Sequence, residues 1–321
     1  MKIPEILAKA GDKSVSFEIT PPMHGKRASN LNTTLDALAA FNPLFIDVTS
    51  RASKMSYESV GDGFKQHILQ PTPGTLPICS KIQERYGISS APHSLCTGFT
   101  PRESQTFLID AYFGADIDNV FVARGDALNY NKEYAEPPHK YAIDLVRQVV
   151  ALNNGEYLKG IKDTPTNFCI GVAGYPEKHI EAANFKQDLK FLKEKVDAGA
   201  DYIVTQMFFT NQKFYSFVEE CRSIGIECPI IPGIKIITRR KHLTKLPERF
   251  HLDIPYDLSD QILNAKHEPG TITEIGTSWA RAQVLDLFNN PQYFVDGKCI
   301  AHFYITNGAK AVTKALANLL E

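Results

Sequence analysis

The run Asn119-Val-Phe-Val-Ala-Arg-Gly-Asp126 leads from four strand-forming residues into a cation, a glycine and a carboxylate. A buried strand that ends in such a trio is where an α/β enzyme tends to place its chemistry. Gly125 lets a ligand approach the backbone, Arg124 can pair with an anion, and Asp126 can accept hydrogen bonds from a heterocycle. The same residues also fit an ordinary βα turn in which Arg124 and Asp126 pair with each other. Polar residues at the ends of other strands favour the chemical reading.

Those strands alternate with helices. Period-2 alternation predicts a strand over Ser14–Thr20, with Ser16, Glu18 and Thr20 on its polar face. Further strands are predicted over Leu44–Thr49, Ala91–Cys96, Phe168–Ala173, Tyr202–Met207, Pro229–Ile236 and Ile300–Ile305. Helices are predicted over Asn30–Phe41, Thr100–Phe113, Tyr141–Asn153, Asn184–Ala198, Lys213–Ile224 and Ala309–Leu319, and at about 75–86, 239–246, 257–264 and 272–289. Thr100-Pro101-Arg-Glu103 reads as a capping box. Residues 50–74, rich in Gly and Pro, read as a long loop between the second strand and its helix. Eight strands, each followed by a helix, predict a (β/α)8 TIM barrel of class α/β, a single domain spanning 1–321. A doubly wound sheet is the alternative, but no G-x-G-x-x-G follows the first strand and no P-loop occurs.

Composition bounds the partners. The 321 residues are 43% hydrophobic and 22% charged, with 35 basic and 36 acidic side chains, so no field suited to nucleic acid or an anionic membrane is expected. The first residues do not resemble a signal peptide, and no stretch approaches the ~18 apolar residues of a spanning helix. The six scattered cysteines read as reduced, mostly buried residues of a cytoplasmic protein. His93 and Cys96 form H-x-x-C without a second pair, so no metal is expected.

In a barrel the C-terminal strand ends converge on one mouth, which would gather Glu18, Thr49, His93, Arg124, Asp126, Tyr175, His179 and Gln206 with the loop after Gly233. An inward Glu18 would be desolvated, which raises a carboxyl pKa and makes it a proton donor near neutrality. A structural ion pair with Arg124 or a lysine is the alternative. Gln206 would meet either a ligand or a core hydrogen-bond network, and Tyr175 either a ring or the protein interior.

Several motifs occur in order: Ser16-Phe-Glu-Ile-Thr-Pro-Pro22, Ala91-Pro-His-Ser-Leu-Cys96, Ala123-Arg-Gly-Asp126 and Ala173-Gly-Tyr-Pro-Glu-Lys-His179. Asp197-Ala-Gly-Ala200 with Thr205-Gln-Met-Phe-Phe209, Ile231-Pro-Gly-Ile234 and His302-Phe-Tyr304 follow. Together they resemble the methylenetetrahydrofolate reductases in their short form, over residues 14 to 305. The resemblance implies FAD in the barrel mouth, reduced by NADH or NADPH, and hydride passed on to 5,10-methylenetetrahydrofolate to give 5-methyltetrahydrofolate for methionine synthesis. It implies Glu18 as general acid, Asp126 as the carboxylate near flavin and pterin, and Gln206 and His242 at the substrate. Thr49, His93, Arg124, Gly125, Asp126, Ala142, Tyr175, His179, Ala182, Asp188 and Lys195 fall where the family holds FAD. A homo-oligomer is implied as well.

The chain departs from the better-known bacterial pattern at five positions. Phe191 and Glu194 replace an amide and an arginine directed at FAD, His242 a glutamine, Leu246 a stacking phenylalanine, and Gly308 an arginine near the folate. Two rival readings are a flavin-free barrel methyltransferase acting on a pterin, which would be colourless, and a barrel that binds FAD or folate without turnover.

Overall fold

The computed structural model describes residues 1–23, 28–61, 63–70, 72–266, 268–305 and 309–320. Its centre is a ring of parallel strands: β1 (Lys13–Ile19), β2 (Phe45–Val48), β3 (Ser89–Leu95), β4 (Asn119–Ala123), β5 (Cys169–Gly174), β6 (Tyr202–Thr205), β7 (Ile230–Ile231 and Gly233–Ile234) and β8 (Cys299–Ile305). Each pairs with the next, and β8 pairs with β1. The continuous strand predicted over 229–236 is two short pieces flanking Pro232, which has no N–H to donate to a ladder. Its first piece pairs with β6 and its second with β8, so the break falls where the ring closes.

Helices α2 (Ala28–Ala39), α3 (Leu76–Tyr86), α4 (Pro101–Ile109), α5 (Ala142–Asn153), α6 (Phe185–Asp197) and α7 (Asn211–Ser223) follow the first six strands in turn. Three more, α8 (His242–Phe250), α9 (Tyr256–Leu263) and α10 (Thr271–Phe288), follow β7, and α11 (Lys310–Leu316) follows β8. One helix was not foreseen. The seven-residue α1 (Ile3–Lys9) is too short for a periodic signal, yet it buries Ile3 and Leu7. It is tied to the start of β4, because the Ile3 N–H donates to the Asn119 side-chain oxygen at 3.0 Å. The capping box is formed: Thr100 Oγ1 accepts from the Glu103 N–H at 3.2 Å and Glu103 Oε2 from the Thr100 N–H at 2.7 Å. Thr100→Ala is expected to lower stability by about 1 kcal/mol, read as a lower denaturation midpoint at unchanged slope.

β1 shows how the ring sorts its side chains. Phe17 faces outward, with its ring 6.5 Å from Phe41 and 6.4 Å from Phe303. Ser16 faces inward and meets His302 Nδ1 of the neighbouring strand β8 at 2.8 Å. Deeper in the interior Tyr202 lies 6.1 Å from the Phe45 ring and 6.5 Å from Phe121. It fits only because Gly171 is opposite: a Cβ there would fall 2.3 Å from the tyrosine ring.

The expected 50–74 loop is instead largely an antiparallel ribbon, Lys54–Val60 with Gly63–Leu69. Its alternation was hidden by the flanking Gly and Pro residues. Met55 pairs with Ile68, Tyr57 with Gln66 and Ser59 with Phe64, so one face is mostly apolar, and Gly61 turns the chain at φ 58°. The Asn129 side chain bonds both backbone groups of Met55, at 2.9 and 3.0 Å, and fastens the ribbon to the segment after Asp126. All six cysteines are free, and no described helix is long and apolar enough to cross a membrane.

Candidate active site

Glu18 stands one residue before the end of β1, level with Asp47 on β2 and Tyr304 on β8. Its side chain keeps 19% exposure at the barrel mouth. Burial raises its pKa to about 7, with the nearby Lys235 ammonium acting in the opposite direction. His93 Nε2 lies 3.6 Å from the Glu18 carboxyl. This is not an ion pair, because burial lowers the His93 pKa to about 3 and keeps the ring neutral. The His93 ring packs on Phe121 at 4.7 Å, and its Nε2 has no hydrogen-bond partner among the described residues.

Beside and below Glu18 the polarity continues. Burial, and then the neighbouring Glu18, push the Asp47 carboxyl well above its ordinary range. Asp47 Oδ2 approaches His302 Nε2 to 3.9 Å, and burial lowers the His302 pKa to about 3. Two carboxyls that resist ionising thus face two imidazoles that resist protonation. Burial thus disfavours the charged form at each of these four groups.

The rim carries the charges. Arg124 does not pair with Asp126, as the bland reading of that turn required: it pairs with Glu181 and lies 5.9 Å over the Tyr141 ring. Asp126 pairs with Arg249 of α8, and both side chains are more than half exposed. Gly125 holds φ 87°, a backbone conformation that side chains rarely adopt, and a Cβ there would touch Thr97 and Leu95. Just past β2, the buried Thr49 Oγ1 has no described partner. Tyr175 and His179 meet edge to face at 4.7 Å. The Asp188 carboxylate accepts the His179 N–H at 2.8 Å, and the Ala182 N–H donates to the His179 carbonyl at 3.1 Å. Lys195 reaches back from α6 to the Ala173 carbonyl at 2.7 Å, and burial lowers its pKa to about 8. Ala142 opens α5 behind Tyr141.

Thr49, His93, Arg124 and Tyr175 therefore sit at or just beyond the C-terminal ends of the strands, and the Lys195 ammonium reaches the end of β5 from α6. Residues 2–320 match the family described as methylenetetrahydrofolate reductase.

The chain belongs to the methylenetetrahydrofolate reductase family.

Among its relatives is the 5,10-methylenetetrahydrofolate reductase of Escherichia coli, 31% identical over 94% of this chain and 88% of its own length. The methylenetetrahydrofolate reductases (NADH) 1 of Arabidopsis thaliana and Zea mays are each 29% identical, over 98% and 99% of this chain. The chain spans only about half the length of these plant relatives, 49% and 50%. A solved structure with the same fold is an uncharacterised Clostridium thermocellum protein that binds two copies of 5-methyl-5,6,7,8-tetrahydrofolic acid. It has a TM-score of 0.63 and 12% identity, and covers 99% of both chains.

The other side of the mouth is assembled from the segments after β6 and β7 and from α8. The Gln206 side-chain oxygen accepts the Met207 N–H at 3.0 Å. His242 Nδ1 faces the Thr238 N–H at 3.4 Å, and burial together with Lys235, Arg239 and Lys241 lowers its pKa to about 4. Leu246 is buried in a small core under α8–α10 with Met207, Phe209 and Ile237, and Tyr304 packs against that core. Phe191 and Glu194 point from α6 into solvent. Gly308 lies outside the described residues. Sequence reasoning passed over Asp47 and Lys235 as site residues. The signals were present: Asp47 shares the polar face of its strand with Thr49, and Lys235 follows the Pro232-Gly233 break by two residues.

Proposed function

We propose that this chain, as one catalytic unit over 1–321, reduces 5,10-methylenetetrahydrofolate to 5-methyltetrahydrofolate, with FAD as resident cofactor and NADH or NADPH as donor in ping-pong order. Family membership supports the reaction in general, and Glu18 carries the mechanistic reading. The two names of the folate define what the protein must do. The methylene carbon bridges N5 and N10 in the substrate and is a methyl on N5 in the product, so the bond to N10 breaks and N10 gains a proton. Glu18, with a pKa raised to about 7 at the barrel mouth, holds a proton at neutral pH where bulk carboxyls do not. His93, kept neutral beside it, adds no charge that would ionise it.

The residues present fit the cofactor. Thr49 Oγ1 and His93 Nε2 are buried polar atoms without described partners, as expected of groups that meet a ligand. Gly125 opens the backbone at the end of β4, and Arg124, Asp126, Ala142, Tyr175, His179, Ala182 and Asp188 would complete the cofactor side. Lys195 remains cationic at neutral pH despite its burial and suits a diphosphate. FAD, when bound, would accept two electrons from the nicotinamide and release them to the folate. Asp126 would accept hydrogen bonds from the pterin ring, and Gln206 and His242 would border it. The Asp126–Arg249 pair is exposed, so displacing it costs little. A cytoplasmic homo-oligomer completes the reading.

FAD binding tests it directly. Titrating the purified protein with FAD is expected to quench flavin fluorescence to one equivalent, and Lys195→Met to weaken binding about tenfold or more. Unaltered affinity in that variant would remove Lys195 from the cofactor site.

A further inference from the structure

Lys235 is an unusual residue for its place. It follows the second piece of β7, is 7% exposed, and its ammonium donates to the Tyr304 carbonyl at 3.0 Å. Ile234 pairs with Phe303, so Lys235 falls level with Tyr304 on β8. Tyr304 is level with Glu18 on β1, and Glu18 with Asp47 on β2. Four neighbouring strands therefore present an ammonium, a phenol and two carboxyls in one row across the mouth. Burying an ammonium is costly, and an apolar side chain would end the strand without that cost.

We infer that Lys235 is a positioning residue for the proposed reaction: its charge, held in the same row as Glu18, sets how firmly Glu18 keeps its proton. The inference rests on the reductase reading for its consequence but not for its electrostatics. Among the described residues around this row, His93, His302 and His242 are held neutral by burial, and the Tyr304 phenol and Asp47 carboxyl are pushed well above their ordinary ranges. Lys235 is the charge that acts on Glu18, lowering a pKa that burial raises, and Glu18 in turn supports the ammonium. Without it, Glu18 would hold its proton to higher pH and give it up less readily to the departing N10. The row thus places the proton affinity of Glu18 between that of a surface acid and that of a fully desolvated one.

The test is an infrared pH titration of the resting protein, following the protonated-carboxyl band that Glu18→Gln removes. Removing a nearby cation favours the neutral acid, so in Lys235→Met the midpoint is expected to rise by about one to two pH units. Lys235→Gln, which keeps a donor for the Tyr304 carbonyl without the charge, should rise similarly, and Lys235→Arg should return towards the wild-type value. The alkaline limb of folate reduction in single turnover should move up with the midpoint, while reduction of the protein by nicotinamide keeps its pH profile. One midpoint shared by wild type, Met and Gln variants would overturn the inference. So would a shift in Met that Gln abolishes, since hydrogen bonding and not charge would then be at work. A shifted band in a protein that does not reduce the folate would uphold the electrostatics and reject the reductase reading instead.

Discussion

Glu18→Gln is expected to retain FAD and its reduction by nicotinamide while losing folate reduction by about 10²–10⁴-fold, the range for removing a positioned general acid. The amide matches the carboxyl in shape and keeps a hydrogen-bonding group near His93, so the barrel mouth is preserved. It cannot supply a proton to N10. The pH dependence of the wild type follows from the same group. A general acid works in its protonated form, so folate reduction should be full below the raised pKa of about 7 and fall as pH rises through it. Single-turnover mixing of reduced protein with methylenetetrahydrofolate measures both. A Gln variant as fast as wild type would take Glu18 out of the mechanism.

Tyr202 is expected to dominate stability. Its ring is fully buried inside the barrel between Phe45 and Phe121 and lies against the bare backbone of Gly171. Tyr202→Ala should cost roughly 3–5 kcal/mol, because the ring of strands around it cannot collapse into the space. Tyr202→Phe should change stability by less than about 1 kcal/mol, since the hydroxyl has no hydrogen-bond partner among the described residues. Gly171→Ala, which drives a methyl into the tyrosine, should cost about 1–3 kcal/mol. Urea denaturation of the three variants orders these effects. A Tyr202→Ala protein as stable as the Phe variant would contradict a closely packed barrel interior.

The barrel was legible because each of its eight strands carries an apolar run bounded by turn residues, a signal local to the strand. What was misread depends on partners elsewhere in the chain. The 54–69 ribbon shows its mostly apolar face only when its two halves are paired, and the surrounding glycines and prolines suggested a loop. The break at Pro232 makes sense once β7 is seen to bridge two different neighbours. At the site, the polar face of β1 indicated that Glu18 would point inward and be desolvated, and the barrel places it so. The electrostatics of the row could not be read in advance. Tyr304, Glu18 and Asp47 lie on three strands and Lys235 just past a fourth, and only the register brings them level. The bland pairing of Arg124 with Asp126 likewise gave way to partners in distant segments, Glu181 and Arg249.

The most direct test is a visible spectrum of the purified protein after incubation with FAD and removal of the excess, followed on one anaerobic sample by NADH and then by 5,10-methylenetetrahydrofolate. The flavin absorbance is expected to bleach with NADH and to return with the folate. Bleaching without recovery would indicate a barrel that binds FAD without reducing folate, and a protein that stays colourless even after incubation with FAD would contradict the flavoprotein assignment.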